Sequence, residues 1–207
     1  MESIQAEEHL QTIRTLMERS AIYRRALAPI MILCGVLGLA GGIAGWALKL
    51  NSDRGFILLW SGLALFALIG SFLLARRQAL RDFEPFWSPP TRRVAQALGP
   101  PLAVGCFINA LIVHVGGTSG LMIFTVAIWA WLYGCALHSA GFFMIRGIKL
   151  FGLIFIALGC AVFLFAFNNL QRIEQLPAHL VMSGVFGGLH LAYGIYLYFT
   201  EQRRNET

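Results

Sequence analysis

Two histidines inside long apolar segments are the titratable residues of this chain that could bind a cofactor or ligand within a membrane. His138 stands in Leu-His-Ser-Ala-Gly (137–141), and His190 stands in Leu-His-Leu-Ala-Tyr-Gly (189–194). On neighbouring parallel helices, two imidazoles can bind a b-type haem from opposite faces, which would indicate electron transfer. The alternative is that each ring forms a hydrogen bond across a helix contact, the commoner role of histidine in an apolar helix.

Aromatic and amide side chains in the same apolar segments extend this set toward a ligand site. Trp129 and Tyr133 share a segment with His138, and Asn109 lies in the segment before it. A few polar groups in an otherwise apolar cavity are typical of small-molecule sites. Together with His190, these residues could line the cavity of a carrier for a small apolar or amphipathic molecule, although filling a helix bundle is their commoner use.

Acidic residues and catalytic motifs are missing from the apolar segments. All ten Asp and Glu residues lie outside them, whereas ion-coupled transporters commonly carry a carboxylate inside the membrane. The chain also lacks Gly-x-Ser-x-Gly, His-Glu-x-x-His and the carboxylate pair of a glycosidase. We therefore predict a protein without enzyme activity and without a metal site.

Six apolar segments must position these residues. Hydrophobic residues make up 57% of the 207 residues and charged residues only 13%, compared with about 25% charged residues in a soluble domain. Each segment is about long enough to cross a hydrocarbon core of roughly 30 Å as a helix. The sequence predicts an all-α, polytopic membrane bundle within residues 28–199. Its six spans are 28–48, 56–75, 100–116, 121–145, 150–167 and 178–199.

The distribution of basic residues predicts the orientation. Of the 16 Lys and Arg residues, 13 lie in the N-terminal stretch before span one, the 76–99 connection, the 146–149 connection and the C-terminal tail. The other three, Lys49, Arg54 and Arg172, lie on the opposite side of the membrane. Because basic residues are retained on the cytoplasmic side, both termini are predicted to be cytoplasmic. The net charge of +6 follows this pattern and does not indicate a nucleic-acid partner.

The cytoplasmic side carries two further features. Residues 1–27 include an apolar stripe at Ala6, Leu10, Ile13 and Met17, which predicts an amphipathic helix that lies on the membrane or docks another helix. A short cytoplasmic tail is predicted at 200–207. The 76–99 connection mixes arginines with aromatic residues and is interpreted as a loop held at the membrane surface, or as a platform for a cytoplasmic protein or a lipid headgroup. The platform residues are Arg76, Arg77, Arg81, Trp87, Arg92 and Arg93.

Small residues in the first and last spans predict close helix packing. Glycines recur at four-residue spacing at Gly38 and Gly42, at Gly41 and Gly45, and at Gly184 and Gly188, with Ser183 and Gly187 beside the last pair. This spacing lets helix backbones approach closely, which replaces the hydrophobic driving force that lipid removes. The sequence thus predicts tight packing within the bundle, and a homodimer through span one is a further hypothesis.

Aromatic residues near span ends fit the interface between membrane and water. Trp46, Trp60, Tyr196 and Tyr198 lie in such positions. Tryptophan and tyrosine are enriched there because the ring is apolar and one edge is polar. These four residues therefore fit aromatic belts at the membrane–water interface.

Two stretches of the chain resemble a group of uncharacterised bacterial multi-span inner-membrane proteins. Residues 12–23 read Thr-Ile-Arg-Thr-Leu-Met-Glu-Arg-Ser-Ala-Ile-Tyr, and residues 84–89 read Glu-Pro-Phe-Trp-Ser-Pro. The resemblance covers about the first half of the chain and implies a bacterial inner membrane, but no activity. With no catalytic group in view, the favoured hypothesis is a non-enzymatic scaffold, sensor or regulatory partner that spans the lipid bilayer and binds a cytoplasmic protein at its cytoplasmic face.

Overall fold

A computed structural model describes residues 26–83, 85–115, 121–144 and 146–205, and all regular structure in these ranges is helical. The predicted amphipathic helix within residues 1–27 lies almost entirely outside them. A short 3₁₀ turn covers Leu170–Gln175, and the last span joins α6, a π-helical segment and α7. The elements in chain order are α1 (Ala26–Ala47), α2 (Asp53–Arg81), α3 (Pro89–Val115), α4 (Leu121–Ala140), α5 (Arg146–Asn168), α6 (Ala178–Met182), the π-helical segment (Ser183–Gly188) and α7 (Leu189–Asn205).

Six helices of this structure are long and apolar enough to cross a membrane. The prediction of an all-α, multi-pass membrane bundle is therefore confirmed. The sixth of them runs from Ala178 to Thr200 through both α6 and α7, and we call this stretch the sixth span. Even the shortest, α4 with 20 residues, reaches about 30 Å at 1.5 Å per residue.

The 76–99 connection is mostly helical, which corrects the prediction of a loop. Arginine, glutamine, alanine and leucine favour helix, so α2 continues to Arg81, well beyond its apolar run. The next helix begins at Pro89, and the first backbone bond of α3 runs from the Arg92 amide to the Ser88 carbonyl at 3.1 Å. Proline suits a first helical turn because its missing N–H has no partner there. The platform arginines thus stand on two helix ends.

The predicted fourth span, 121–145, extends beyond the C-terminal end of its helix. The α4 helix ends at Ala140, and Phe142 and Phe143 form a turn before α5 begins at Arg146. Backbone bonds from the Gly141 amide to the Leu137 carbonyl and from Phe143 to Ala140 close this turn. Two phenylalanines predicted inside the span are therefore exposed at its end.

The core is centred on α4. Half of its span is buried (50%), compared with 11% for the spans of α2 and α3. One apolar cluster joins α1, α4, α5 and the sixth span around Phe155, and a second joins α2, α4, α5 and the sixth span around Phe56. Both rings are fully buried. The helices α2 and α3 therefore lie at the side of the bundle, with most of their surface open.

Glycines of α1 form a close seam with the sixth span, which confirms the prediction of tight packing. A Cβ atom on Gly38 would lie 2.6 Å from the Cα of Gly187, and one on Gly42 would collide with Ser183. The glycine face of α1 is thus filled from within the chain. A homodimer would have to use another surface.

The glycine motif predicted in the sixth span does not make this contact. Gly184 and Gly188 have no atom within 4 Å of a Cβ position, whereas Gly187 and Ser183 face α1. The small residues beside that motif make the contact instead, within the π-helical segment. The residues that face α1 are His179, Ser183, Gly187 and Leu191.

Candidate functional site

Tyr133 and His190 are brought together in the centre of the bundle. The Tyr133 hydroxyl lies 2.7 Å from Nε2 of His190, and Nδ1 of His190 lies 2.6 Å from the Phe186 carbonyl. Phe151 and Phe155 of α5 pack against the imidazole with ring centroids 5.3 and 5.4 Å away. His190 is only 3% exposed. This pair joins α4 to the sixth span.

The bonding partners define the form of the His190 ring. A carbonyl only accepts, so Nδ1 must carry a hydrogen and donate it to Phe186. In the neutral ring Nε2 then accepts, and the Tyr133 hydroxyl donates to it. Both ring nitrogens are thereby engaged. Haem ligation by His190 would require one of these bonds to break.

Asn109 and Trp129 form a second polar cluster with Ser61. The Trp129 indole donates to Oδ1 of Asn109 at 3.0 Å, and Nδ2 of Asn109 donates to the Ser61 hydroxyl at 3.1 Å. Gly105, one turn before Asn109, makes room for the indole, since a Cβ there would lie 2.7 Å from the Trp129 ring. The cluster joins α2, α3 and α4, and the Asn109 amide both accepts and donates a hydrogen bond in it.

His138 lies in a third place, apart from His190. Its Nδ1 is 3.3 Å from the carbonyl of Lys149, and its ring meets Phe142 edge-on at 5.7 Å. Among the described residues, no contact joins His138 to His190. The five residues predicted to line one ligand cavity are thus divided among three clusters.

A cluster at the far end of the bundle was missed by sequence reasoning. The Trp60 indole donates to Nδ1 of His179 at 3.2 Å, and Nε2 of His179 donates to the Leu50 carbonyl at 3.0 Å. Trp60 is 8% exposed, so its ring packs inside the bundle. Gly45 of α1 allows the close approach, since a Cβ there would collide with the imidazole. The sequence did contain a signal for this contact, since Trp60 and His179 are both polar aromatic residues near the same end of their spans.

Asp53 is an acidic residue at the start of a span. It is the first residue of α2 and is 3% exposed, although the sequence placed every carboxylate outside the spans. Its carboxylate faces the backbone of Leu121 and Met122 without a full hydrogen bond to any described residue. The N-terminus of a helix stabilises negative charge, so the contact ties α2 to the start of α4.

An open cleft lies at the far end of α5. Its volume is about 370 Å³, and it is lined by residues from Phe167 to Arg172. None of the residues predicted to bind a ligand lines it.

The predicted platform residues lie together at the opposite end of the bundle, which we call the basic end. Arg76, Arg77 and Arg81 are exposed on the last turns of α2, and Arg92 is exposed on the first turn of α3. Trp87 between them is 54% exposed. The Phe86 ring packs edge-on against Phe72 at 5.0 Å and anchors the connection to α2.

Arg93 differs from the other platform residues. Its guanidinium carbon lies 5.9 Å from the ring centre of Phe143, so it points toward the turn between α4 and α5. The Lys149 ammonium lies 3.8 Å from the ring centre of Phe142 in the same turn. The sequence grouped Arg93 with its neighbours and did not connect it to Lys149.

No known protein family, curated protein or solved structure matches this chain. The resemblance to bacterial inner-membrane proteins thus stays a prediction.

Proposed function

We propose that this protein is a non-enzymatic membrane scaffold or regulatory partner that binds a cytoplasmic protein through its basic end. It would lie in a bacterial inner membrane with both termini in the cytoplasm. One observation carries the proposal. The polar groups within the spans bond to one another, whereas the arginines of the basic end are exposed and extend from the bundle.

The interior supports a structural role for the intramembrane polar groups. A carrier needs polar groups that are free to meet its cargo, but Asn109 and Trp129 bond to each other, and so do Tyr133 and His190. A haem protein needs an imidazole nitrogen with a free lone pair, and both His190 nitrogens have partners. These bonds support the scaffold over the carrier and the electron-transfer alternatives.

The chemistry of the basic end indicates an acidic partner. No described carboxylate lies within ion-pairing distance of Arg76, Arg77 or Arg81, and all three are exposed. Arginine binds carboxylates through two parallel hydrogen bonds, and tryptophan and arginine dominate binding energy at protein interfaces. Trp87, which is half-exposed beside these arginines, would supply the apolar anchor of the contact.

Photo-crosslinking in native membranes tests this proposal. A photoreactive amino acid replaces Trp87 in the full chain, and the matched control carries it at Phe66, which is exposed in the middle of α2. We expect a discrete protein adduct from position 87 alone. Mass spectrometry should identify a cytoplasmic protein that is crosslinked through an acidic surface.

The arginines provide the decisive comparison. Combining Arg76→Gln, Arg77→Gln and Arg81→Gln should reduce the adduct at least about tenfold, because each exposed ion pair contributes up to about 1 kcal/mol. The same substitutions in α2 should leave membrane insertion unchanged. An adduct of equal yield in the triple variant, or one equally strong from position 66, would overturn the proposal.

A further inference from the structure

The turn between α4 and α5 gathers cations from two helices. Arg93 comes from the start of α3 and lies over Phe143, while Lys149 comes from α5 and lies over Phe142. Gly141 lets α5 approach, since a Cβ there would be 2.7 Å from the Lys149 Cα. We call these four side chains, Arg93, Phe142, Phe143 and Lys149, the basic corner.

The two cations of the basic corner are not neutralised by the chain that the structure describes. Only Asp53 and Asp82 have described carboxylates; Asp53 lies at the far end, and Asp82 accepts a hydrogen bond from Gln78 at 3.0 Å. A guanidinium has five N–H donors and an ammonium has three, and a ring face cannot engage all of them at once. Arg93 and Lys149 therefore retain donors for an anion.

Two helix N-termini reinforce the positive potential. The first turns of α3 and α5 contain no acidic residue, and they carry Arg93 and Lys149 near them instead. A helix N-terminus attracts anions and disfavours cations by about 0.3–1 kcal/mol per charge. Basic side chains at this end of a helix are unfavourable alone, and they become favourable when an anion lies beside them.

The surroundings of the corner point to a lipid as the source of that anion. Phe142 is 65% exposed at the end of an apolar span, and Leu150, Leu153 and Ile154 form an exposed apolar face along α5. Acyl chains can lie on this face while the headgroup stays at the end of the span. His138 bonds to the Lys149 carbonyl and packs against Phe142, which fixes both residues.

We propose that the basic corner binds the phosphate of an anionic phospholipid, whose acyl chains lie along the exposed face of α5. Arg93 and Lys149 donate hydrogen bonds to the phosphate oxygens, and the two phenylalanine rings hold the cations in place. This site does not depend on the proposed protein partner, because the partner surface is formed by Arg76, Arg77, Arg81 and Trp87.

Native mass spectrometry of the detergent-purified full chain tests the proposal, with phosphatidylglycerol as the probe and phosphatidylcholine as the zwitterionic control. The test variant combines Arg93→Gln with Lys149→Gln. The matched variant combines Arg76→Gln with Arg77→Gln, which removes the same charge at the same end. We expect at least tenfold weaker phosphatidylglycerol binding in the test variant, since each basic residue near a lipid surface contributes about 1 kcal/mol. The matched variant should lose less than about threefold.

A second variant tests whether the phenylalanine rings, and not the positive charge alone, contribute to lipid binding. Combining Phe142→Leu with Phe143→Leu keeps both cations and should still weaken phosphatidylglycerol binding several-fold. Size-exclusion profiles and circular dichroism establish that each variant is folded. Equal losses in the test and matched variants would overturn the proposal, and so would equal binding of phosphatidylcholine. Displacement of the lipid by millimolar inorganic phosphate would reassign the corner to a soluble anion.

Discussion

The polar groups inside the bundle and those at its basic end differ in whether the chain uses their hydrogen-bonding capacity. Inside, Tyr133 donates to His190, and Trp129 donates to Asn109. At the basic end, Arg76 and Arg77 are exposed and no described carboxylate pairs with them. The first set holds helices together, whereas the second set is available to another molecule.

Solvent explains this difference. An unpaired polar group in hydrocarbon costs several kcal/mol, so a group inside a span is retained only where it finds a partner. At the membrane surface water satisfies a guanidinium at little cost, and pairing inside the chain brings little stability. The location of a polar group in this bundle thus indicates its role better than its residue type does.

The largest effect is expected from breaking the closed interior at the glycine seam. Gly38→Leu would drive a side chain into the Gly187 backbone, which lies 2.6 Å from the Cβ position. Overpacking against backbone is expected to destabilise the bundle by about 3 kcal/mol or more. Loss of the folded peak in size exclusion and a lower thermal midpoint would measure it.

Gly184→Leu is the matched control for this substitution. Its Cβ position meets no atom within 4 Å, and leucine favours helix over glycine by up to about 1 kcal/mol. We expect unchanged or slightly higher stability. A loss as large as that of Gly38→Leu would show that the seam does not lie where the contacts place it.

A smaller effect is expected from removing the hydroxyl of Tyr133. Tyr133→Phe leaves Nε2 of His190 without its donor in a fully packed site. A lost interhelical hydrogen bond in a membrane protein costs about 0.6–2 kcal/mol. Tyr196→Phe is the control because this side chain is 62% exposed and should change the unfolding free energy very little. Equal effects of the two substitutions would contradict a specific bond.

A smaller effect still is expected from the hydrogen bond between Asn109 and Trp129. A double-mutant cycle with Asn109→Ala and Trp129→Phe should return an interaction free energy of about 0.6 kcal/mol, the average for such bonds in membranes. The same cycle between Asn109 and the exposed Trp46 should return zero. Additive effects in the first cycle would mean that the two side chains pack together without bonding.

The six spans could be predicted because the signal is local. A helix that crosses a membrane requires about 20 consecutive apolar residues, which can be recognised without knowing the rest of the fold. All six such helices were predicted from the sequence. The ends were harder to place. The apolar run of α2 ends at Arg76, but the helix continues to Arg81 because arginine is a good helix former.

The polar clusters could not be predicted because their members are distant in sequence. His179 lies 119 residues from Trp60, and His190 lies 57 residues from Tyr133. Hydropathy gives the depth of each residue in its span, but the rotation of each helix depends on packing. The sixth span also contains a π-helical segment, Ser183–Gly188, which the hydropathy pattern does not predict.

The smallest effect on stability is expected at the basic end. Combining Arg76→Gln, Arg77→Gln and Arg81→Gln removes three charges that make no ion pair with a described residue. The unfolding free energy in detergent should change by less than about 0.5 kcal/mol, as is usual for exposed side chains away from special features. The crosslink from position 87 should nevertheless fall and should weaken further as salt rises, since salt screens exposed charges. A loss of stability comparable to that of Tyr133→Phe would mean that these arginines hold the bundle together, and the division between a closed interior and an open basic end would then fail.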